Sequence, residues 1–362
     1  MPVVTDSNSG EAPYDAILFV SFGGPEGPDE VIPFLERVTA GRNIPAERLK
    51  LVGQHYFDRG GVSPINELCR DMIGRLESAL AAADVDLPIY WGNRNSEPFL
   101  ADTLQTMADD GVTRAMAFVT SAYSSYSGCR QYRENIAAAL DTVDGSAPVV
   151  DKMRVYFNHP GFIDPLVDGL TEALTGLDES RTHVFFTAHS IPMSMASNSF
   201  YVDQLNNAVQ LVGERIDALA AGRTGSELVW QSRSGPPTMP WLEPDIVDAI
   251  NDVDGDAIDN VIVVPIGFVS DHMEVLQDLD TDAARAADEQ GFEFRRVETS
   301  GTDPRFIDMI VELVRERLEG VTPVALGDLG LVPEQCGETC CPRPQRPPAR
   351  PGAKSGRPGR PA

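Results

Sequence analysis

The sequence predicts an α/β fold of doubly wound parallel sheets, set out as two lobes of similar layout. Short apolar runs rich in β-branched and aromatic residues recur along the 362 residues. Between them lie Gly-, Pro- and Ser-rich loops and amphipathic stretches of helical length. The order strand, loop, helix, strand demands crossover connections, and hence parallel pairing.

Residues 1–13 are small and polar and are expected to be disordered. After Tyr14, AILFVSF is an apolar run of strand length, leading through GGPEGP into a helix-like DEVIPFLERV. Ser63-Pro64 reads as the cap and first residue of a helix over INELCRDMIGRLESAL, because proline's missing N–H costs nothing at a helix start. PIYWGN (88–93) and RAMAFVTSAY (114–123) read as strands, the second running into SSYSGCRQYRENIAAAL. FNHPGF breaks the pattern near 155–165, which places an N-terminal lobe over 14–160 and a C-terminal lobe over 161–331. HVFFTAHS (183–190), ELVWQSR (227–233), NVIVVPIGFVS (260–270) and FEFRRVETS (292–300) supply the second set of strands. A long helix, QLNNAVQLVGERIDALAAG, precedes the second of these, and FIDMIVELVRERLEG is the last helix. A Cys-containing extension, 332–341, leads to a Pro/Arg-rich tail over 342–362 that is expected to be mobile.

The net charge is −26, from 29 basic and 55 acidic groups. Six of the basic groups and no acid fall in the last 21 residues, so the body before them is more negative still. Such a surface repels phosphate backbones and anionic lipid, which argues against nucleic acid as the main partner and against charge-driven membrane docking. No run of about 18 apolar residues occurs, so no membrane span is expected. The N-terminus lacks the basic start and apolar stretch of a secretory signal, and a cytoplasmic location follows. Neither a G-x-G-x-x-G fingerprint nor a Walker A loop is present, and the prolines of GGPEGP remove backbone donors that would cradle a phosphate.

Ligands of open parallel sheets bind outside the carboxyl ends of the strands, so the loops after the strands are where chemistry is expected. His189 ends HVFFTA, well placed for proton transfer or metal ligation, although a loop histidine satisfied by its neighbours reads the same way. After VIVVPIGFV come Ser270, read as a helix cap, Asp271 in the first turn, and Glu274, Asp278 and Asp282 at i, i+4 and i+8 on one helical face. In an acidic protein that face is ordinarily just solvated. Its sharper reading is a ladder of carboxylates passing cations or protons toward a pocket, with Glu274 nearest the strand end. SAYSSYSGCRQY (121–132) is dense in hydroxyls and rings and could hold a flat aromatic ligand. Capping accounts for Ser63 by itself. Cys69 lies on the apolar stripe of its helix and reads as core. Cys336, Cys340 and Cys341 crowd together, with Cys129 distant in sequence. Four thiols suit an iron–sulfur cluster or a zinc site, the alternative being free surface thiols.

FVSFGGPEGP, GGVSPIN, TAHSIP, WQSRSGPPTMPWLEPD and PIGFVSDHMEVLQDLD stand in the order found in ferrochelatases, which the sequence resembles over roughly 14–341. The forms SFGGPEGP and WQSRSGPP resemble the actinobacterial branch. The resemblance implies two Rossmann-like, chelatase-type domains with a porphyrin cleft between them. It implies insertion of Fe²⁺, the metal substrate, into coproporphyrin III to give Fe-coproporphyrin III in heme b biosynthesis. His189 and Glu274 match the residues that approach the iron position, and Asp278 and Asp282 fall on the family's acidic ladder. Ser63, Tyr132 and Tyr56 match porphyrin contacts. Phe22 stands where some relatives carry an iron-ligating tyrosine, and Arg42 is what remains of an Arg-rich propionate-binding stretch. Cys129, Cys336, Cys340 and Cys341 match the ligands of a [2Fe–2S] cluster. A monomer is expected, with transient hand-over to the next heme-pathway enzyme. The alternatives are a protoporphyrin IX ferrochelatase, a cobalt or nickel chelatase for another tetrapyrrole, and a non-catalytic tetrapyrrole carrier.

Overall fold

The computed structural model describes residues 13–41, 44–235, 238–332, 337 and 339–344. Arg42, Cys336 and residues 345–362 of the tail lie outside the described residues.

Two four-stranded parallel sheets organise the chain. The first contains β1 (Ala16–Ser21), β2 (Ile89–Asn93), β3 (Arg114–Val119) and β4 (Val149–Lys152) in the order β2-β1-β3-β4. The second contains β5 (Thr182–His189), β6 (Gly225–Gln231), β7 (Asn260–Val264) and β8 (Glu293–Arg296) in the order β6-β5-β7-β8. The two orders are the same pattern repeated. In each sheet the first strand in sequence is central, and β1 is buried along its whole length because helices cover both faces.

The N-terminal half carries α1 (Pro28–Val38), α2 (Ala46–Phe57), α3 (Ile65–Ala82), α4 (Leu100–Asp109), a π-turn over Tyr126–Arg130 and α5 (Gln131–Leu140). The C-terminal half carries α6 (Pro160–Leu174), α7 (Met193–Ala196), α8 (Tyr201–Gly213), α9 (Asp217–Ala220) and α10 (Ile246–Asn251). It ends with α11 (Met273–Gln277), a second π-turn over Asp278–Ala283, α12 (Ala284–Gln290) and α13 (Pro304–Glu319).

One apolar cluster runs through both halves. It includes Phe19, Phe118, Tyr156, Phe162, Phe186, Ile262 and Phe306, and α13 returns from the second sheet to pack on α3 and α6. The close approach of α6 to α13 requires glycine at position 161, where a Cβ would lie 2.3 Å from the Arg305 carbonyl oxygen. A buried ion pair fixes the same junction: Arg154 Nε and Nη2 each donate to Glu316 at 2.8 Å, and Nη2 also reaches the Val324 carbonyl at 2.9 Å.

Several expectations are corrected. The NVIVVPIGFVS strand stops at Val264, because Pro265 has no N–H and Ile266 N turns back to Val264 O at 2.8 Å. The long helix before β6 breaks after Gly213 and resumes briefly at Asp217. Ser63 is not the cap of α3: Pro64 holds that position, and the Ser63 N–H donates to Pro25 O at 2.8 Å. Ser270 does not cap α11 either. His272 does, its Nδ1 accepting from Val275 N at 3.4 Å. The start of the tail is also not loose, since Arg343 stacks over Tyr126 and its Nε donates to the phenol oxygen at 2.6 Å. Among the described residues no helix is long and apolar enough to cross a membrane.

Candidate active site

His189 is the last residue of β5, where the strand leaves the sheet at its carboxyl end. Its Nδ1 lies 2.5 Å from Ser190 O, and Tyr201 Oη donates to the His189 carbonyl at 3.0 Å. A carbonyl can only accept, so Nδ1 carries the proton and Nε2 is the free lone pair of the neutral ring. That Nε2 faces Glu274 Oε2 at 3.5 Å. Burial disfavours the charged ring, but the hydrogen bond and charge of Glu274, helped by Ser190 O and Asp278, more than offset it and raise the His189 pKa above 6.5.

Glu274 reaches this position because β7 and α11 are joined by a short loop that is packed down. Gly267 N donates to Thr187 O at 2.9 Å, and a Cβ at Gly267 would lie 2.5 Å from that of Ala188. Only glycine lets the loop lie this close to the residue preceding His189. Asp271 is held by Arg296 at 2.9 Å, and the His272 ring sits edge-on to Phe268.

Asp278 follows Glu274 by one α-turn, and the backbone then widens into the π-turn. The i, i+4, i+8 face is therefore not continuous: the wider turn swings Asp282 out of line with the other two. Asp282 accepts from Gln277 Nε2 at 3.1 Å and from Arg285 at 3.0 Å. Burial, with Glu274 and Asp245 adding, pushes Asp278 up to about 7, against the Ser232 hydroxyl and His189, which pull it down. Burial also raises Asp245, with Asp248 and Asp282 adding to it against a backbone hydrogen bond from Val247. The carboxylates thus interact electrostatically behind the His189–Glu274 pair.

An apolar wall joins this site to the first sheet. The Phe22 ring meets Phe34 edge-on at 6.2 Å, and Phe34 lies 6.0 Å from Tyr56. Tyr56 and Phe34 share a cluster with Met273, the neighbour of Glu274. Arg94 extends the wall, stacking 4.4 Å over Tyr132 and 5.5 Å over Phe22 while Nε donates to Asn135 at 2.8 Å. Ser63 is buried next to Gly24. Thus the structure brings His189, Glu274 and Asp278 together, leaves Asp282 beside Asp245 off that line, and places Phe22 and Tyr56 on the adjoining wall. Tyr132 and Ser63 lie farther along the first lobe and, among the described residues, share no hydrogen bond with the pair.

Three of the four candidate cluster thiols, Cys129, Cys340 and Cys341, lie close enough to interact. Cys340 and Cys341 sulfurs are 3.7 Å apart, and Cys341 and Cys129 are both buried. Burial, then Cys340 and Cys129, push the Cys341 thiol up to about 12, with Arg130 opposing. Two thiolates on one tetrahedral metal with bonds of about 2.3 Å would sit roughly 3.8 Å apart, so the vicinal pair fits a shared metal. Arg130 Nη1 bonds Cys340 O at 3.0 Å, and Glu134 accepts from Arg130, Tyr126 and Arg343, fastening the extension to the Cys129 loop. Among the described residues no set of three or more His, Cys, Asp or Glu side chains is arranged as a ready metal cage.

Sequence reasoning passed over Gln231, Ser232, Asp245 and Arg94. Gln231 Nε2 lies 3.4 Å from Asp278 while its buried Oε1 has no partner among the described residues, and the Ser232 hydroxyl bonds the same carboxylate from a left-handed backbone (φ 61°). All but Asp245 stand at or just beyond a strand's carboxyl end, so the rule that singled out His189 would have found them.

An imidazole lone pair facing a carboxylate, with further carboxylates behind it and an aromatic wall beside it, defines an α/β enzyme that handles protons and cations. The family model described as ferrochelatase matches residues 14–318. A ferrochelatase of Rhodopirellula baltica is 51% identical over 345 residues, covering 94% of this chain and 97% of that one. The coproporphyrin III ferrochelatase of Streptomyces coelicolor is 49% identical over 376 aligned residues, covering 98% of this chain and 99% of that one. That of Streptomyces griseus is 50% identical over 365 residues, covering 95% and 97%. The chain belongs to the ferrochelatase family.

Proposed function

We propose that this chain is a lyase that inserts Fe²⁺ into coproporphyrin III, releasing two pyrrole protons and yielding Fe-coproporphyrin III for heme synthesis. The observation that carries this reading is the His189 Nε2 lone pair held toward Glu274 at 3.5 Å with Nδ1 committed to Ser190 O. The similarity to relatives named for that substrate along nearly their whole length supports it.

Nε2 accepts a pyrrole proton, and Glu274 stabilises the imidazolium that forms. Carboxylates are hard oxygen ligands suited to stripping water from Fe²⁺ and releasing it, and Asp278 and Glu274, with Asp282 farther back and off their line, offer such a route toward His189. Asp278, pushed up to about 7 by burial, can take up and release a proton near neutral pH. The aromatic wall of Phe22, Phe34 and Tyr56 offers a face for a flat macrocycle, and gripping it bent brings the nitrogen lone pairs out of plane.

The test is anaerobic incubation with Fe²⁺ and, in parallel, coproporphyrin III or protoporphyrin IX. Loss of coproporphyrin fluorescence over many turnovers is expected. A preference for protoporphyrin IX, or a single stoichiometric spectral change without turnover, rejects the substrate or the catalytic reading respectively. Parallel assays with Co²⁺ and Ni²⁺ separate iron insertion from other chelatase activities.

Cys129, Cys340 and Cys341, with Cys336 from outside the described residues, are proposed to hold a [2Fe–2S] cluster. When bound it would tie the C-terminal extension to the Cys129 loop through iron and offer a one-electron redox couple. Isolated protein should contain about two irons and two acid-labile sulfides per chain. Colourless protein with intact thiols after anaerobic reconstitution rejects the cluster.

A further inference from the structure

We propose that Arg59 is a positioning residue that fastens the porphyrin-contact segment of the first lobe to the π-turn carrying the iron-side carboxylates. Arg59 lies just beyond α2, between Tyr56 and Ser63. Its Nη2 donates to the Leu276 carbonyl at 3.1 Å and to the Thr281 hydroxyl, which in turn donates to the same carbonyl at 3.4 Å. Leu276 lies in α11 just before the widened turn, and Thr281 lies inside the turn, after Asp278 and next to Asp282. A π-turn is rare, occurring mostly as a single widened turn within an α-helix and often at functional sites, so a contact from outside is well placed to hold it. Here the support comes from more than 200 residues away in sequence.

The other end of the latch is stiff. Arg59 N and Gly61 N both bond Tyr56 O, at 3.0 and 2.7 Å, and Ser63 N bonds Pro25 O. Gly60 and Gly61 take left-handed backbone (φ 77° and 78°), and a Cβ at Gly61 would lie 2.6 Å from Pro28 N. A shift of Tyr56 or Ser63 on porphyrin binding is therefore passed to Arg59 rather than absorbed in the loop. Through Arg59 it reaches the turn that sets where Asp278 and Asp282 point. The functional consequence rests on the proposed reaction: macrocycle occupancy tunes the metal route.

The experiment uses the full chain and its Arg59→Ala, Arg59→Lys and Thr281→Val variants. Amide hydrogen exchange over 276–283 is followed with and without coproporphyrin III, and KM is measured for each substrate. In the native chain, porphyrin should slow exchange in this segment. In Arg59→Ala the segment should exchange about tenfold faster and lose its response to porphyrin, a change within the worth of a charged hydrogen bond. KM for Fe²⁺ should rise while KM for coproporphyrin III stays within about twofold, a change of a few tenths of a kcal/mol. Arg59→Lys should recover part of the response, and Arg59→Ala combined with Thr281→Val should be no worse than the first alone. A porphyrin response kept in Arg59→Ala, or additive effects in the double variant, would overturn the latch. Exchange is read without turnover, so unliganded exchange that is unchanged in Arg59→Ala refutes the latch even where the reaction assigned above proves wrong.

Discussion

Replacing Glu274 by glutamine should lower the His189 pKa and shift the enzyme's pH profile with it. At the 3.5 Å separation of the pair, two unit charges interact by about 1 kcal/mol in water and about 5 kcal/mol at an effective dielectric of 20. The side chains are 33% and 50% exposed, so solvent screening places the value near the lower figure. About 1 kcal/mol corresponds to slightly less than one pKa unit. With the charge removed, burial is the main influence left, and it acts to lower the value. The His189 pKa should therefore fall from above 6.5 to below it. An NMR titration of the imidazole Hε1 resonances reads this directly, with the other four histidines as references. The acidic limb of kcat/KM, set by the need for an unprotonated Nε2, should move to lower pH by the same amount. The plateau should drop about a hundredfold or more, as expected when a group acting on the transferred proton and the incoming metal is neutralised. A His189 pKa that holds or rises in Glu274→Gln refutes the pairing.

Three other expectations follow from the packing and the charges. Asp278 is raised from 3.8 to about 7 in the folded chain, so its contribution to stability is full below the unfolded value and is lost as pH rises through the folded one. Asp278→Asn should therefore gain on the native chain in urea midpoint between pH 4 and pH 7, and parallel curves would contradict it. Glu316→Ala strands the Arg154 guanidinium, whose side chain is 2% exposed, and should cost about 3–5 kcal/mol in equilibrium unfolding; a loss below about 1 kcal/mol would mean the pair is solvated. Gly161→Ala drives a methyl group into the Arg305 carbonyl and the Met309 side chain. It should cost at least about 1–3 kcal/mol and loosen α13 from α6, which proteolysis near α13 would reveal.

Much of the fold is legible in the sequence because strand and helix periods are local properties. AILFVS, RAMAFV, HVFFTAH and NVIVV lie within the expected runs. β4, with only VVDK, was too short to register, and α2 and α4 lacked strong caps in sequence. The candidate site was legible where residues stand directly after strands. His189 and Glu274 are of that kind, and the motifs around them carry the family resemblance. The misplaced details are all backbone choices between near-equal local options. Ser63 and Ser270 looked like caps, but Pro64 and His272 took those positions. The acidic ladder looked straight because a π-turn has no residue signature distinct from an α-helix.

Composition and periodicity were enough for the α/β class, and the motif resemblance was enough for the family and for the imidazole and carboxylate that meet. Only the tertiary structure decided that Nδ1 is committed to Ser190 O, that Gln231 and Ser232 reach Asp278, and that Arg59 reaches across to the π-turn. The division has a physical reason. Hydrophobic patterning is written every two or four residues, whereas the protonation state and aim of a buried group depend on partners placed by folding, and apart from Ser190 those partners here lie tens to hundreds of residues away.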